Sequence, residues 1–321
     1  MHYRALGGAQ GPRISAVCLG TLPFGTTVDE PTAFAILDRF AAAGGTFVDT
    51  ANHYACWVPG ATGDESELLL GRWLRSRGAA GRTVLATKVG ARPDAARGAR
   101  WPANAEGLSA AAVRAGIEGS LRRLGTDRVD LYYAYPEDRA VPLEETVEAL
   151  AGLVQDGRVG TLGAGGHRTW RLAAARHAAA GRHLPGFRAV QRRHTYLRPR
   201  RGLPSGHHLE ADEELLDYAA AHPDLTPIGY GTLMGGAYAR ADRPLPEAYD
   251  HPGSVARLRV LAEVAAECAA TVNQVVLAWL MGGELPVVPV LGVSSVAQLD
   301  EGLAALDLRL DPVQRARLDT A

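Results

Sequence analysis

The 321-residue chain predicts an α/β fold: a closed (β/α)8 barrel with a short N-terminal β-hairpin, residues 1–321 forming one domain. Three observations carry this. Apolar runs of strand length alternate with longer amphipathic stretches along nearly the whole chain, which argues for parallel strands joined by helical crossovers. The alternation repeats eight times, and eight units suit a closed barrel better than an open doubly wound sheet. An open dinucleotide-binding sheet would carry G-x-G-x-x-G after its first strand. Here that position reads CLGTLPFG, and the later GTLGAGG at 160–166 does not match either.

The elements follow in order. YRALG paired with PRISA gives the hairpin, placed as a cap on the barrel bottom. ISAVCLG (14–20) is the first barrel strand and 31–43 the first helix, ending at Gly44-Gly45. TFVDTA (46–51) precedes the helix 65–77, where Leu69, Leu70, Trp73 and Leu74 share one face at helical spacing. TVLATKV (83–89) leads to the helix 109–124, for which Ser109 is a fitting N-cap. VDLYYAY (129–135) and the helix 143–155 come next, then VGTLGAG (159–165) with 169–180, and FRAVQ (187–191) with 211–221. TPIGYG (226–231) leads to helices at 254–270 and 272–281. PVVPVLG (286–292) and a helix at 296–305 complete the set.

Composition narrows the partners. The net charge of -1 gives no electrostatic case for nucleic acid or an anionic membrane. The basic runs SLRRLG and VQRRHTYLRPRRG are short and read as solvated faces. Cys18, Cys56 and Cys268 are odd in number and far apart, so no disulfide framework is expected and a reducing, cytoplasmic setting fits. No run approaches the ~18 apolar residues of a membrane span. The expected partner is a small molecule, and a homo-oligomer is compatible with the sequence. His207 and His208 in SGHHLEADEE are adjacent rather than at i, i+4, so a loop is expected there and no metal site. The long segment 193–210 reads as a lid over the pocket.

In such a barrel, functional groups stand at the C-terminal ends of strands. Those positions hold Asp49, with Tyr54 just beyond, then Lys88, Tyr135, Gly165-Gly166-His167, Gln191, Tyr230 and the LGVSS turn. Asp49, Tyr54 and Lys88 make chemical sense together. A phenol has a pKa near ~10 in water, a neighbouring ammonium favours the phenolate, and a carboxylate holds the ammonium in place. The expected product is a tunable phenolic acid/base.

With these motifs in place the chain resembles the aldo-keto reductases over roughly residues 13 to 312. FVDTANHY resembles the family's Asp-x-x-x-x-Tyr segment, so Asp49 and Tyr54 carry over as salt-bridge partner and general acid, and ATKVG supplies Lys88. SLRRLGTDRVDLYY and VPLEETVEALAGLVQDGRV are similar to the family pattern almost throughout. The resemblance implies NADPH as cofactor. Gln191 would bond the nicotinamide amide and Tyr230 would stack on its ring. Gly231, Leu233, Gly292, Ser294, Gln298 and Glu301 fall on the phosphate and adenine side. Phe24, Trp57 and His167 fall on the substrate pocket.

Several positions depart from the family pattern. Tyr135 stands where the family carries a histidine that bonds the substrate carbonyl. Gly165-Gly166 replaces Ser-Asn at the carboxamide. Gly231 replaces a phosphate-binding serine, Ser294 a basic residue facing the 2′-phosphate of NADP, and Gly302 an asparagine beside Glu301. A ligand hydrogen bond is worth ~0.5–1.5 kcal/mol, so four or five losses would cost roughly 4–6 kcal/mol if additive. Two main readings follow. One is an NADP(H)-dependent reductase of a bulky, polyketide-like secondary-metabolite carbonyl, with Tyr54 as acid and Tyr135 assisting at the oxygen. The other is a repurposed, cofactor-independent enzyme using Tyr54, Tyr135 and Lys88 for proton transfer such as dehydration, epimerisation or cyclisation. A non-catalytic binding module accounts for the lost cofactor contacts but not for the retained Asp49, Tyr54 and Lys88.

Overall fold

The computed structural model describes residues 1–98, 100–200, 202 and 208–321. Eight parallel strands close into a barrel: β3 (Cys18–Gly20), β4 (Phe47–Asp49), β5 (Val84–Val89), β6 (Val129–Ala134), β7 (Val159–Gly165), β8 (Phe187–Arg193), β9 (Thr226–Tyr230) and β10 (Val288–Gly292), with β10 pairing back onto β3. An antiparallel hairpin, β1 (Tyr3–Ala5) and β2 (Arg13–Ser15), precedes them.

Side chains alternate across each strand, so one face fills the barrel and the other meets the helices. Cys18, Phe47, Ala86, Leu131, Tyr133, Ala189, Ile228, Val288 and Val290 form the inner cluster, and Leu6 and Ile14 from the hairpin region join it. The hairpin thus plugs the barrel, as its sequence suggests. Leu19, Val48, Leu85, Tyr132 and Val190 lie in the larger outer cluster against the helices.

The helices are α1 (Glu30–Ala42), α2 (Glu65–Arg77), α3 (Ala110–Leu124), α4 (Leu143–Gln155), α5 (Thr169–Gly181), α6 (Glu213–Ala220), α7 (Pro252–Glu267), α8 (Val272–Met281), α9 (Val296–Ala304) and α10 (Pro312–Thr320). Local chemistry sets their ends. The Ser109 hydroxyl accepts from Ala112 N, as expected, and Gly125 in the left-handed region closes α3. A capping box at Thr271 and Gln274 opens α8.

Several boundaries differ from the sequence pattern, and one helix is added. ISAVCLG is broken because Ser15 Oγ accepts from the Thr46 and Phe47 amides and donates to Val17 O, so Ile14 and Ser15 belong to the hairpin and the barrel strand begins at Cys18. The helix expected at 211–221 starts at Glu213, because Asp212 caps it. The periodicity did not announce α10, although Asp311, Pro312 and Gln314 form a capping-box start. Among the described residues no single helix is long and apolar enough to cross a membrane. The apolar pair α7 and α8 is bent by 96° at their junction, and Leu261, Val264, Val275, Val276 and Leu280 are buried.

Candidate active site

Register brings the chemistry to one end of the barrel. Gly20 of β3 lies beside Asp49 of β4, Lys88 of β5 beside Tyr133 of β6, and Gly165 of β7 beside Gln191 of β8. Asp49 and Lys88 are buried, 1% and 3% exposed as side chains, and form an ion pair with Lys88 Nζ 2.5 Å from Asp49 Oδ2. Lys88 Nζ also donates to Thr50 O and to the Tyr54 hydroxyl, both at 2.8 Å. Tyr54 donates to the same Asp49 oxygen at 2.8 Å. The three expected groups therefore close a hydrogen-bonded triangle. Tyr54 is held by the turn beyond β4, where Ala55 adopts a left-handed backbone (φ 59°), a conformation that costs a non-glycine residue ~1–2 kcal/mol.

One expectation is corrected by this geometry. The ammonium was expected to lower the Tyr54 pKa. Burial and then Asp49, at once a charge and a hydrogen-bond acceptor, push it well above the ordinary phenol value. The phenol stays protonated, which is the state a proton donor needs. Burial likewise lowers Lys88 from the usual lysine range, with Asp49 opposing that shift.

The Tyr135 ring lies against Gly165 and Gly166. A Cβ added at Gly166 would stand 3.1 Å from Tyr135 Cε2, and one at Gly165 would stand 3.0 Å from Cδ2. Burial raises the Tyr135 phenol, so it too is a donor at neutral pH. The ring also stacks on His53, with centroids 5.9 Å apart and planes 9° apart. His53 also meets Tyr54 edge-on at 5.7 Å. Sequence reasoning missed His53, although it lies inside the FVDTANHY motif beside Tyr54. Burial, then Lys88 and Arg92, lowers its pKa to about 3, so the imidazole is neutral.

The remaining expected positions divide. Gln191 reaches the site, yet its amide donates to Asp49 Oδ1 at 3.2 Å. Tyr230 stands at the end of β9, and its hydroxyl meets His208 Nδ1 at 3.1 Å. Gly231 packs beside the Arg193 side chain, and Leu233 is half-buried. Gly292 and Ser294 are exposed where β10 runs into α9, and Ser294 N and Oγ both bond Gln298 Oε1. Glu301 Oε1 accepts from Thr271 and Asn273 at the start of α8.

The pocket assignments fare less well. Phe24 is fully buried in the outer core. His167 is 1% exposed, with Nδ1 3.0 Å from Gly165 O. Neither exposes a surface in this structure. Trp57, 62% exposed, stands free at the rim. Among the described residues no cluster of His, Cys, Asp or Glu is arranged to hold a metal, and His207 lies outside them. Part of the expected lid, 201 and 203–207, also lies outside them. Its far end returns to β8, with Arg193 N bonded to Leu209 O and Ala211 N to Arg193 O. A groove of about 550 Å³ lies between the segment that follows β8, the start of α6 and the end of α8.

The eight-stranded barrel thus carries a buried, hydrogen-bonded Asp49-Tyr54-Lys88 triangle at the C-terminal end of its strands. The aldo/keto reductase family model matches residues 16–321, and the chain belongs to that family. The chain is 31% identical over 319 residues to the uncharacterized oxidoreductase YrpG of Bacillus subtilis (strain 168), covering 97% of this chain and 93% of the relative. It is 30% identical over 321 residues to norsolorinic acid reductase stcV of Emericella nidulans, covering 96% and 78%. Aldo-keto reductase ausK of the same organism is 29% identical over 330 residues, again covering 96% and 78%.

Proposed function

We propose that this enzyme reduces the carbonyl of a bulky secondary metabolite with NADPH, Tyr54 delivering the proton. The observation that carries this reading is the Tyr54–Lys88–Asp49 triangle. Tyr54 holds its proton on Oη until the carbonyl oxygen gains charge, and the Lys88 ammonium 2.8 Å away is the counter-cation for the phenolate left behind. Asp49 keeps Lys88 charged and aimed. Tyr135, also protonated, offers a second O–H to the same oxygen. The reductase names among the relatives support the substrate class.

The cofactor fit is uneven. Bound NADPH would supply the hydride. Tyr230 would bear on the nicotinamide, while Gly231 and Leu233 and the Gly292, Ser294, Gln298 and Glu301 positions would hold the phosphate and adenine end. There, backbone amides at the start of α9 and in the glycine-rich turn after β9 can replace side chains. At the carboxamide end, Gly165 and Gly166 offer no side chain and the Gln191 amide is engaged by Asp49. That weak end favours a second reading, in which the same phenols serve cofactor-independent proton transfer.

Titration with NADPH, followed by nucleotide fluorescence and thermal shift with NADH as control, separates the two. Micromolar binding, together with turnover of aryl ketones that Tyr54→Phe abolishes, supports the reductase. No binding at millimolar nucleotide sinks hydride transfer and leaves proton-transfer chemistry to be tested with Tyr54→Phe and Tyr135→Phe.

A further inference from the structure

His53 lies between the two phenols, and its hydrogen bonds fix which ring nitrogen carries the proton. Glu106 Oε1 accepts from Gly90 N at 2.7 Å and from Asn52 Nδ2 at 2.9 Å. The Asn52 amide nitrogen is therefore spent on the carboxylate. Its oxygen, an acceptor only, faces His53 Nδ1 at 3.3 Å. His53 must then carry its proton on Nδ1. Nε2 is left as a lone-pair acceptor and has no partner among the described residues. The Arg92 guanidinium donates to Asn52 O at 2.9 Å and pairs with Asp64, tying the loops after β4 and β5 together and holding this relay still.

The site thus presents the Tyr135 O–H, a second O–H once the Tyr54 hydroxyl turns from Asp49 to a bound oxygen, and one neutral acceptor whose ring touches both phenols. Two donors satisfy a carbonyl oxygen. A ketone alone leaves the acceptor unmatched, and a desolvated acceptor left without a donor is penalised. We propose that His53 Nε2 is a specificity-determining residue that accepts a hydrogen bond from a substrate hydroxyl, so that the enzyme takes hydroxy ketones in preference to ketones lacking that group. This deepens the reading above, resting on the barrel mouth being the substrate site, but it needs no nucleotide.

The test uses the full chain without cofactor. Binding of acetophenone and its three ring-hydroxylated isomers is measured by calorimetry on wild type and His53→Phe, which keeps a flat ring against Tyr135 and removes the acceptor. At least one hydroxylated isomer should bind roughly fivefold tighter than acetophenone to wild type. In His53→Phe that preference should vanish, with acetophenone affinity within about twofold of wild type. Asn52→Ala, which frees the tautomer while keeping the imidazole, should shrink the preference, and it stands in if His53→Phe does not fold. No preference in wild type, including no binding of any isomer, overturns the assignment, as does a preference that survives both substitutions. Failure of NADPH to bind would overturn hydride transfer and leave this result intact.

Discussion

Tyr135 and Gly166 are a packed pair: the glycine's missing Cβ would sit 3.1 Å from Tyr135 Cε2, at a φ of +61°. Gly165 stands in the same relation to the base of the ring. Tyr135 at the end of β6 and the two glycines at the end of β7 therefore form one packed unit. The phenol ring stands close to where side chains at 165 and 166 would begin.

The pairing predicts a non-additive cycle. Gly166→Asn alone should destabilise the chain by about 1–3 kcal/mol through overpacking against the ring, since asparagine tolerates the left-handed backbone. In a Tyr135→Ala background the same change should cost at least about 1 kcal/mol less. Urea unfolding of the four proteins measures the coupling, and additive behaviour would show that the contact carries no energy.

Lys88→Met tests the ion pair. It leaves the Asp49 carboxylate buried with Tyr54 and Gln191 as its remaining donors among the described residues. Removing one partner of a buried pair costs about 3–5 kcal/mol. Tyr54→Phe, which deletes a hydroxyl but no charge, should cost about 1 kcal/mol while abolishing turnover. Thermal unfolding beside a carbonyl assay separates the two. Equal destabilisation by both variants would contradict the placement of charge.

The barrel was legible because strand and helix periodicities alternate cleanly and capping residues punctuate them. Asp49, Tyr54 and Lys88 were legible because strand ends are where side chains emerge. Other features were not. Phe24 and His167 are fully buried, and the depth of a side chain is invisible in a loop without periodicity. His53 was passed over because its meaning depends on Asn52 and Glu106, and Glu106 is distant in sequence. The rise of the Tyr54 pKa could not be read either, since it follows from burial and from which Asp49 oxygen the phenol meets.

Acid should unfold this protein early. His53 and His167 are buried neutral, with pKa values lowered to about 3 and about 4, burial being the main cause of each. In the unfolded chain both protonate below about 6.5. The unfolded state then binds more protons than the folded one, so stability falls as pH drops from about 6.5 toward 4. The slope approaches roughly 3 kcal/mol per pH unit for the pair. Urea midpoints between pH 7 and 5 measure it. His53→Phe should remove about one proton from the linkage, and an unchanged slope would mean that His53 is not buried neutral.

The exposed Ser294 offers a direct test of the dinucleotide orientation. Among the described residues its hydroxyl bonds only its own helix, to Gln298 Oε1 at 3.1 Å, at the point where β10 hands over to α9. If NADPH binds as proposed, the 2′-phosphate approaches this turn. Ser294→Arg would then add a charge-assisted contact to the phosphate at a solvent-screened site, worth about 1 kcal/mol or roughly fivefold in affinity. NADH lacks that phosphate, so its affinity should stay within about twofold. The gain for NADPH should shrink as salt rises from 50 to about 300 mM, since screening weakens exposed charge pairs. Equal gains for both nucleotides would signal a general charge effect. No gain for NADPH, in a variant that still binds it, would place the phosphate elsewhere on the barrel rim.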